Sequence, residues 1–409
     1  MSHKISKRHL FKTAFALAGA SALGACVRER ESVSNLNTSS EKSLRYDCHG
    51  KHQAGITTPH QHFAIIAAFD VMVKDVAELK KIFQIISQRI EFLTQGGELH
   101  DSNRQLPPSG SGLLGKTLAP NGLTITVGVG ASLFDQRFGL QDKKPKHLVE
   151  MPDFPNDKLQ ADWCDGDVSL QICATNPETC QNALRDFIKQ LAGLALIRWG
   201  IDGFLPQSPQ GQAPRNLFGF RDGTANPDVA QENIANQVLW TGVAANALDE
   251  PAWTKNGTYQ AIRLIRQFVE FWDRTPLQEQ EAIFGRDKYS GAPLGMKHEH
   301  DPIDYQKNQQ IASDSHIHLA NPRTPDFMAK HQLYRRPFNY SRGLSKAGQL
   351  DVGLIFICYQ ANLADGFVFV QEKLNLEPLE EYIQPFGGGY FFVLAGFEKG
   401  GYLGESLLA

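Results

Sequence analysis

Beyond residue 26 the chain has no apolar run of about 18 residues free of charge, the length a membrane-spanning helix needs, so this part is expected to be soluble or merely anchored. It has no dominant charge either. Its 41 Lys+Arg stand against 44 Asp+Glu for a formal net charge of -3, without the basic excess that grips a polyanion. Nucleic acid is therefore not an expected partner, and a small or neutral ligand fits better. The six cysteines include no C-x-x-C pair, which removes the usual ground for a zinc ribbon or a dithiol redox motif. Disorder has little support: 42% hydrophobic and 21% charged residues describe a globular chain, and 409 residues leave room for two domain-sized cores.

The chain does have an address at its start. Ser6-Lys7-Arg8-His9-Leu10-Phe11-Lys12 precedes the apolar, small-residue run 13–24, the charged-then-apolar order of an export signal. The basic part resembles a twin-arginine signal, which implies a periplasmic protein, although Lys7 stands where the first arginine is usual. Leu23-Gly24-Ala25-Cys26 resembles a lipobox, leaving two readings: a lipid anchor on Cys26, or ordinary cleavage nearby. Residues 31–43 are rich in Ser, Asn and Thr and read as a flexible tether, so that 1–45 stands apart from the fold. Of the other cysteines, Cys173 and Cys358 lie in apolar strand-like runs, where a small buried thiol is expected. A disulfide between Cys164 and Cys180 is left open.

The rest follows one plan twice. Residues 62–69, 123–129 and 168–173 read as buried strands, and 75–93 and 177–191 as helices, the second opened by Asn176 with Pro177 at its first position. After 225 come a strand over 261–269, a helix over 276–284, an apolar strand at 352–358, a helix over 361–374 and a closing strand at 390–394. This is an α+β pattern, the ferredoxin-like split βαβ arrangement in tandem with antiparallel sheets, in domains 46–225 and 226–409. Two long irregular passages, 204–228 and 289–339, interrupt it, and loops of that length usually carry function.

Both passages contain chemistry-bearing residues. Gly219-Phe220-Arg221-Asp222-Gly223-Thr224-Ala225 is, by itself, a turn in which Asp222 would bond its own backbone. His316 and His318 lie two residues apart, and one histidine alone is more often structural than a ligand. Arg335-Arg336 would pass as a surface charge pair. His298-Glu299-His300-Asp301 has metal-binding residue types but reads as a solvated polar loop.

The ordered set His52-Gln53-Ala54-Gly55-Ile56, Gly166-Asp167, Gly219 to Gly223, Asp314-Ser315-His316-Ile317 with Ala320-Asn321-Pro322-Arg323, Arg335-Arg336 with Tyr340-Ser341-Arg342-Gly343, and Gly387-Gly388-Gly389-Tyr390-Phe391-Phe392 resembles the DyP-type (dye-decolourising) haem peroxidases. It is most similar to their exported iron-uptake subgroup, described as peroxidases and as deferrochelatases. The resemblance implies one haem b per chain, held in the C-terminal domain, with His316 as axial ligand of the iron. It implies Asp222 and Arg335 as catalytic residues, with Arg336 the alternative to Arg335. It implies haem contacts at Gly223, Thr224, Ala225, Asn321, Pro322, Arg323 and Arg335. His318 departs from the subgroup, which has an arginine there. Hydrogen peroxide and an electron donor are the implied partners, together with haem itself as a substrate, a homodimer and iron-uptake proteins. Electrons from bulky donors would pass through Trp240, Trp253, Trp272 or Tyr340, each of which is otherwise a packing residue.

Overall fold

In the computed structural model, residues 44–409 are described; the export segment, Cys26 and the 31–43 tether lie outside the described residues. Eight long strands carry the fold. Those of the first half are β1 (Phe63–Val71), β2 (Thr124–Gly130), β3 (Val168–Ala174) and β4 (Ala195–Phe204). Those of the second are β5 (Thr258–Gln267), β6 (Phe338–Leu344), β7 (Leu350–Gln360) and β8 (Ile383–Val393). The first half has the order β2-β3-β1-β4 and the second β6-β7-β5-β8, antiparallel throughout, which is the ferredoxin-like arrangement made twice. The halves also join edge to edge. β8 pairs with β2 through Phe391↔Gly130, and β4 meets β6 at Phe204↔Asn339, so the eight strands close into one ring. Among the described residues, closure leaves no long bare edge for a second chain to extend.

Alternation along the strands explains why they read as continuous apolar runs. On β1, Ile65, Ala67 and Phe69 pack with one core beneath the helices, while Ala64, Ile66 and Ala68 pack with a second core shared by both halves. The first core is covered by α1 (Val76–Gln95) and α2 (Pro177–Gln190). Asp75 accepts from the Glu78 N–H at 2.9 Å, and Asn176 from that of Thr179 at 2.9 Å, so both helices begin where a side chain satisfies a free N–H. The second half has shorter helices: α3 (Leu277–Phe284), α4 (His316–Ala320) and α5 (Phe369–Leu374).

Two expectations need correction, and one question left open is answered. The 361–374 helix is split, since a wider turn over Ala364–Val368, with Val368 N–H bonded to Leu363 C=O at 3.1 Å, precedes α5. Strand β6 starts inside the passage read as loop to 339, because Asn339, Ser341, Arg342 and Gly343 break the apolar signal while β7 still pairs with it. The Cys164–Cys180 bond is not made. Both thiols are free and buried, Cys180 against the Phe63 carbonyl at 3.7 Å. The glycines after Pro385 have a steric reason: at Gly388, with φ +122°, a Cβ would lie 2.0 Å from the Ile262 carbonyl oxygen. Among the described residues no helix is long and apolar enough to cross a membrane.

Candidate active site

The inter-half loop and the long β5-to-β6 passage meet over the second-half sheet and line a cavity whose empty space, including its open mouth, is about 1270 Å³. Its floor is apolar: Ile265 of β5, Leu354 and Phe356 of β7, and Val370 and Leu374 of α5. A second lobe of about 740 Å³ shares His316, Arg286, Arg335 and Phe356 with the first and extends to Asn321, Arg323 and Phe327.

The Gly219–Gly223 loop has a tight internal frame. The Asn216 side chain accepts the Phe218 and Phe220 N–H groups, both at 3.1 Å, and the Asp222 N–H bonds to the Pro214 carbonyl at 2.8 Å. Gly223 turns the chain at φ +109°, where a side chain would be strained. The Asp222 carboxylate does not bond its own backbone as a plain turn would. It accepts from Arg335 Nη1 at 2.8 Å, and both residues line the cavity. Arg335 lies in the short strand Tyr334–Arg335 beside β7. Successive strand residues face opposite ways, so Arg336 is buried elsewhere, bonded to the Thr58 and Pro59 carbonyls and to Gln61. The structure therefore puts Arg335, not Arg336, against Asp222.

His316 opens α4. Its Nδ1 lies 2.8 Å from Glu377 Oε2 and 3.1 Å from Oε1, and its side chain, 27% exposed, lines both lobes. Glu377 is buried beside it, and with Nδ1 engaged by that carboxyl group, Nε2, which has no hydrogen bond among the described residues, is left as a donor to a metal. Burial lowers the His316 pKa, but the Glu377 carboxylate outweighs it and the net shift is upward. His318 lies two residues on, which on a helix turns it away. It stacks on Tyr305 at 4.0 Å between centroids and does not line the cavity.

Gly223, Thr224 and Ala225 line the main lobe, and Asn321 and Arg323 the second; Pro322, between those two, lines neither. Arg323 takes φ +57° and its buried Nε has no partner. Arg286, pushed down to about 10 by burial and then by Arg323 and Arg335, adds to a cationic wall. An apolar slab of space with one free imidazole nitrogen and a row of arginines fits haem, a flat apolar ring with a metal centre and two carboxylates.

Sequence reasoning missed three residues. Glu377 holds the imidazole. Asn226 clamps the Asp222 and Arg335 segments together, its amide donating to the Arg335 carbonyl at 2.7 Å and accepting the Arg335 N–H at 3.0 Å. Glu299, from the polar loop, accepts from Thr224 Oγ1 at 2.8 Å and from the Ala213 N–H at 3.1 Å, and pairs with Arg221. That loop holds the Asp222 segment in place, while Asp301 caps its own turn through the Lys297 and His298 N–H groups. Of the four candidate electron-relay residues, Trp272 is joined to His316 by rings. Phe284 lies 5.9 Å from His316 and 5.7 Å from Trp272, Tyr382 lies 4.9 Å beyond, and the half-exposed Phe271 lies 4.8 Å from Tyr382. Trp240 instead stacks on His52, Trp253 packs on Phe392, and Tyr340 packs near Phe386.

A carboxylate and a guanidinium facing a carboxylate-backed imidazole, on a doubled ferredoxin-like ring, define a haem-dependent peroxidase. The chain belongs to the DyP-type peroxidase family: the family's N-terminal domain matches residues 53–205 and its C-terminal domain residues 213–398. It is 49% identical to the deferrochelatase of Escherichia coli (strain K12) over 414 residues, 98% of this chain and 97% of that one. It is 47% identical to the deferrochelatase of Yersinia pseudotuberculosis serotype I (strain IP32953), covering 98% and 95%. Among solved structures, the DyP-type peroxidase from Cellulomonas bogoriensis superposes with TM-score 0.79 at 34% identity, over 90% of this chain and 99% of that one. Ferric DtpA from Streptomyces lividans does so with TM-score 0.80 at 32% identity, over 90% and 98%.

With His316 as the haem ligand, as proposed below, the Glu377–His316 bond would set a pH dependence for loading the haem-free protein. Because the His316 pKa is raised, the imidazole is protonated below that raised value and cannot ligate. Haem affinity is expected to be flat above it and to fall about tenfold per pH unit below it, one proton leaving per haem bound. Glu377→Gln is expected to weaken haem binding about 10- to 100-fold at neutral pH and to move the onset of the fall to lower pH, as read by haem titration across pH.

Proposed function

We propose that one haem b per chain is held on His316 and that the protein reduces hydrogen peroxide there, taking single electrons from a dye- or phenol-like donor. The observation that carries this reading is the Asp222–Arg335 pair at 2.8 Å, facing the same cavity as His316. When bound, haem supplies an open coordination position for peroxide and the electrons that divide it. Asp222 takes the proton from the nearer peroxide oxygen and delivers it to the farther one. The Arg335 guanidinium stabilises the negative charge that grows on the departing oxygen. Glu377 keeps the proton on His316 Nδ1, and Asn226 keeps Arg335 and the Asp222 loop in register. The balance is one peroxide, two protons and two donor electrons to two waters. Haem-loaded protein should oxidise a phenol or dye in mildly acidic buffer only with peroxide present; no oxidation of any such donor would overturn the reading.

Bulky donors are proposed to deliver electrons at Phe271 and Tyr382 and through Trp272 and Phe284. Trp272→Phe is then expected to lower turnover of a large dye severalfold, while the rate of the peroxide reaction, followed at the haem band, stays unchanged.

A second reading is favoured by the identity to deferrochelatases: removal of iron from haem with the tetrapyrrole left whole. Incubation with haem should then yield metal-free porphyrin; recovery of only iron-loaded or ring-opened products would count against it. The signal-like residues 6–26 support export to the periplasm, by the twin-arginine or the general secretory route, with either a lipid on Cys26 or ordinary cleavage nearby. There the chain would act as a homodimer beside iron-uptake proteins.

A further inference from the structure

A second cluster of ligand-type side chains lies outside the haem cavity, at the start of the described chain. Asp47, Cys48 and His49 are consecutive, and one ligand atom from each, a carboxylate oxygen, Sγ and a ring nitrogen, converges within 4.8 Å of the other two. Three neighbours along a strand would point to alternate sides. Here the His49 N–H bonds back to Asp47 Oδ1 at 2.9 Å, which folds the carboxylate over the ring. His49 Nδ1 then lies 3.2 Å from Asp47 Oδ1 and 3.8 Å from Cys48 Sγ. A tetrahedral zinc-type ion with bonds of roughly 2.0–2.3 Å separates its ligand atoms by about 3.3–3.8 Å, so both contacts already have the span of two ligands on one ion. The remaining carboxylate-to-thiol distance is set by Asp47, which is 78% exposed and held by its Oδ1 contacts to the His49 N–H and ring.

The other face of the imidazole argues for the same use. His49 Nε2 lies 2.5 Å from Glu91 Oε1, on α1 and 42 residues away, so the ring has a distant carboxylate on one nitrogen and a thiol and a carboxylate on the other. A histidine that ligates a metal commonly donates its second N–H to a carboxylate, which fixes the tautomer and raises the basicity of the ligating nitrogen. The group is held by its surroundings. Cys48 is buried, His49 packs edge-on against Phe397 at 5.2 Å, and the Gly50 N–H bonds to the Phe397 carbonyl at 3.0 Å. Charge also balances, since a carboxylate, a thiolate and a neutral imidazole neutralise a divalent ion.

We propose that Asp47, Cys48 and His49 ligate one divalent transition cation of the zinc type, with Glu91 orienting the imidazole and a fourth position open to water. Thiolate and imidazole together select a borderline-soft ion over magnesium or calcium. Binding displaces the Cys48 thiol proton to solvent and involves no redox change. None of these four residues lines the haem cavity, so the site stands or falls independently of the peroxidase reading.

The test is zinc titration of the haem-loaded full chain by calorimetry, with metal analysis after gel filtration. One zinc per chain is expected for the wild type. Cys48→Ser and His49→Gln should each lose that equivalent, and Glu91→Gln should bind about 10- to 100-fold more weakly. An unchanged haem band and peroxidase rate in each variant would show that the fold is intact. Absence of bound zinc in the wild type, or equal uptake by Cys48→Ser and His49→Gln, would overturn the proposal and leave His49 as an ion-pair partner of Asp47 and Glu91.

Discussion

His316→Ala is expected to lose haem, with disappearance of the Soret band from protein purified in haem-replete medium. The expectation follows from how few metal donors the cavity offers. Among the described residues His316 is the one histidine lining the main lobe, and its Nδ1 is committed to Glu377. Removing the imidazole leaves apolar contact and arginine–carboxylate attraction to hold the ring, with no axial bond. It also leaves the Glu377 carboxylate buried without its partner, a further cost to the folded state. His318→Ala is the matched control. Two residues away on the same short helix, it stacks on Tyr305 outside the cavity, so the haem band should persist. The reverse pattern would reassign the ligand.

Asp222→Asn should lower peroxide-dependent turnover by about 10²- to 10⁴-fold, the usual contribution of a positioned proton-transfer group, while haem stays bound. The amide is close to isosteric and can still accept a hydrogen bond from Arg335, so the loop should keep its shape; what is lost is a basic oxygen to receive the peroxide proton. Arg335→Lys keeps a charge but lacks the guanidinium that meets Asp222 and should also lower turnover, whereas Arg336→Lys, at a residue that lines neither lobe, should act through stability alone. If Asp222→Asn retained full turnover, proton transfer would have to come from another group, and the cavity would read better as a haem carrier's.

Much of the scaffold was legible because buried strands and amphipathic helices announce themselves by periodicity; β1, β3 and α2 fall within two residues of their expected ends. β6 was not legible, since its polar residues are acceptable only once β7 lies beside it. Ring closure could not be read either, as it depends on pairings such as Phe204↔Asn339 between residues far apart in sequence. At the site, motif order pointed to Asp222, His316 and Arg335, and the structure brings all three to one cavity. Glu377 stayed hidden among Glu372, Glu380 and Glu381, because nothing local marks which carboxylate folds back onto His316. The choice between Arg335 and Arg336 was likewise a matter of facing, which only the pairing with β7 decides.

The most direct measurement is the second-order rate of the haem absorption change on rapid mixing with hydrogen peroxide, for haem-loaded wild type and Asp222→Asn at mildly acidic pH. A fall of at least about 10²-fold with an unaltered resting haem spectrum is the expected result. Equal rates in the two proteins would contradict the assignment of proton transfer to Asp222.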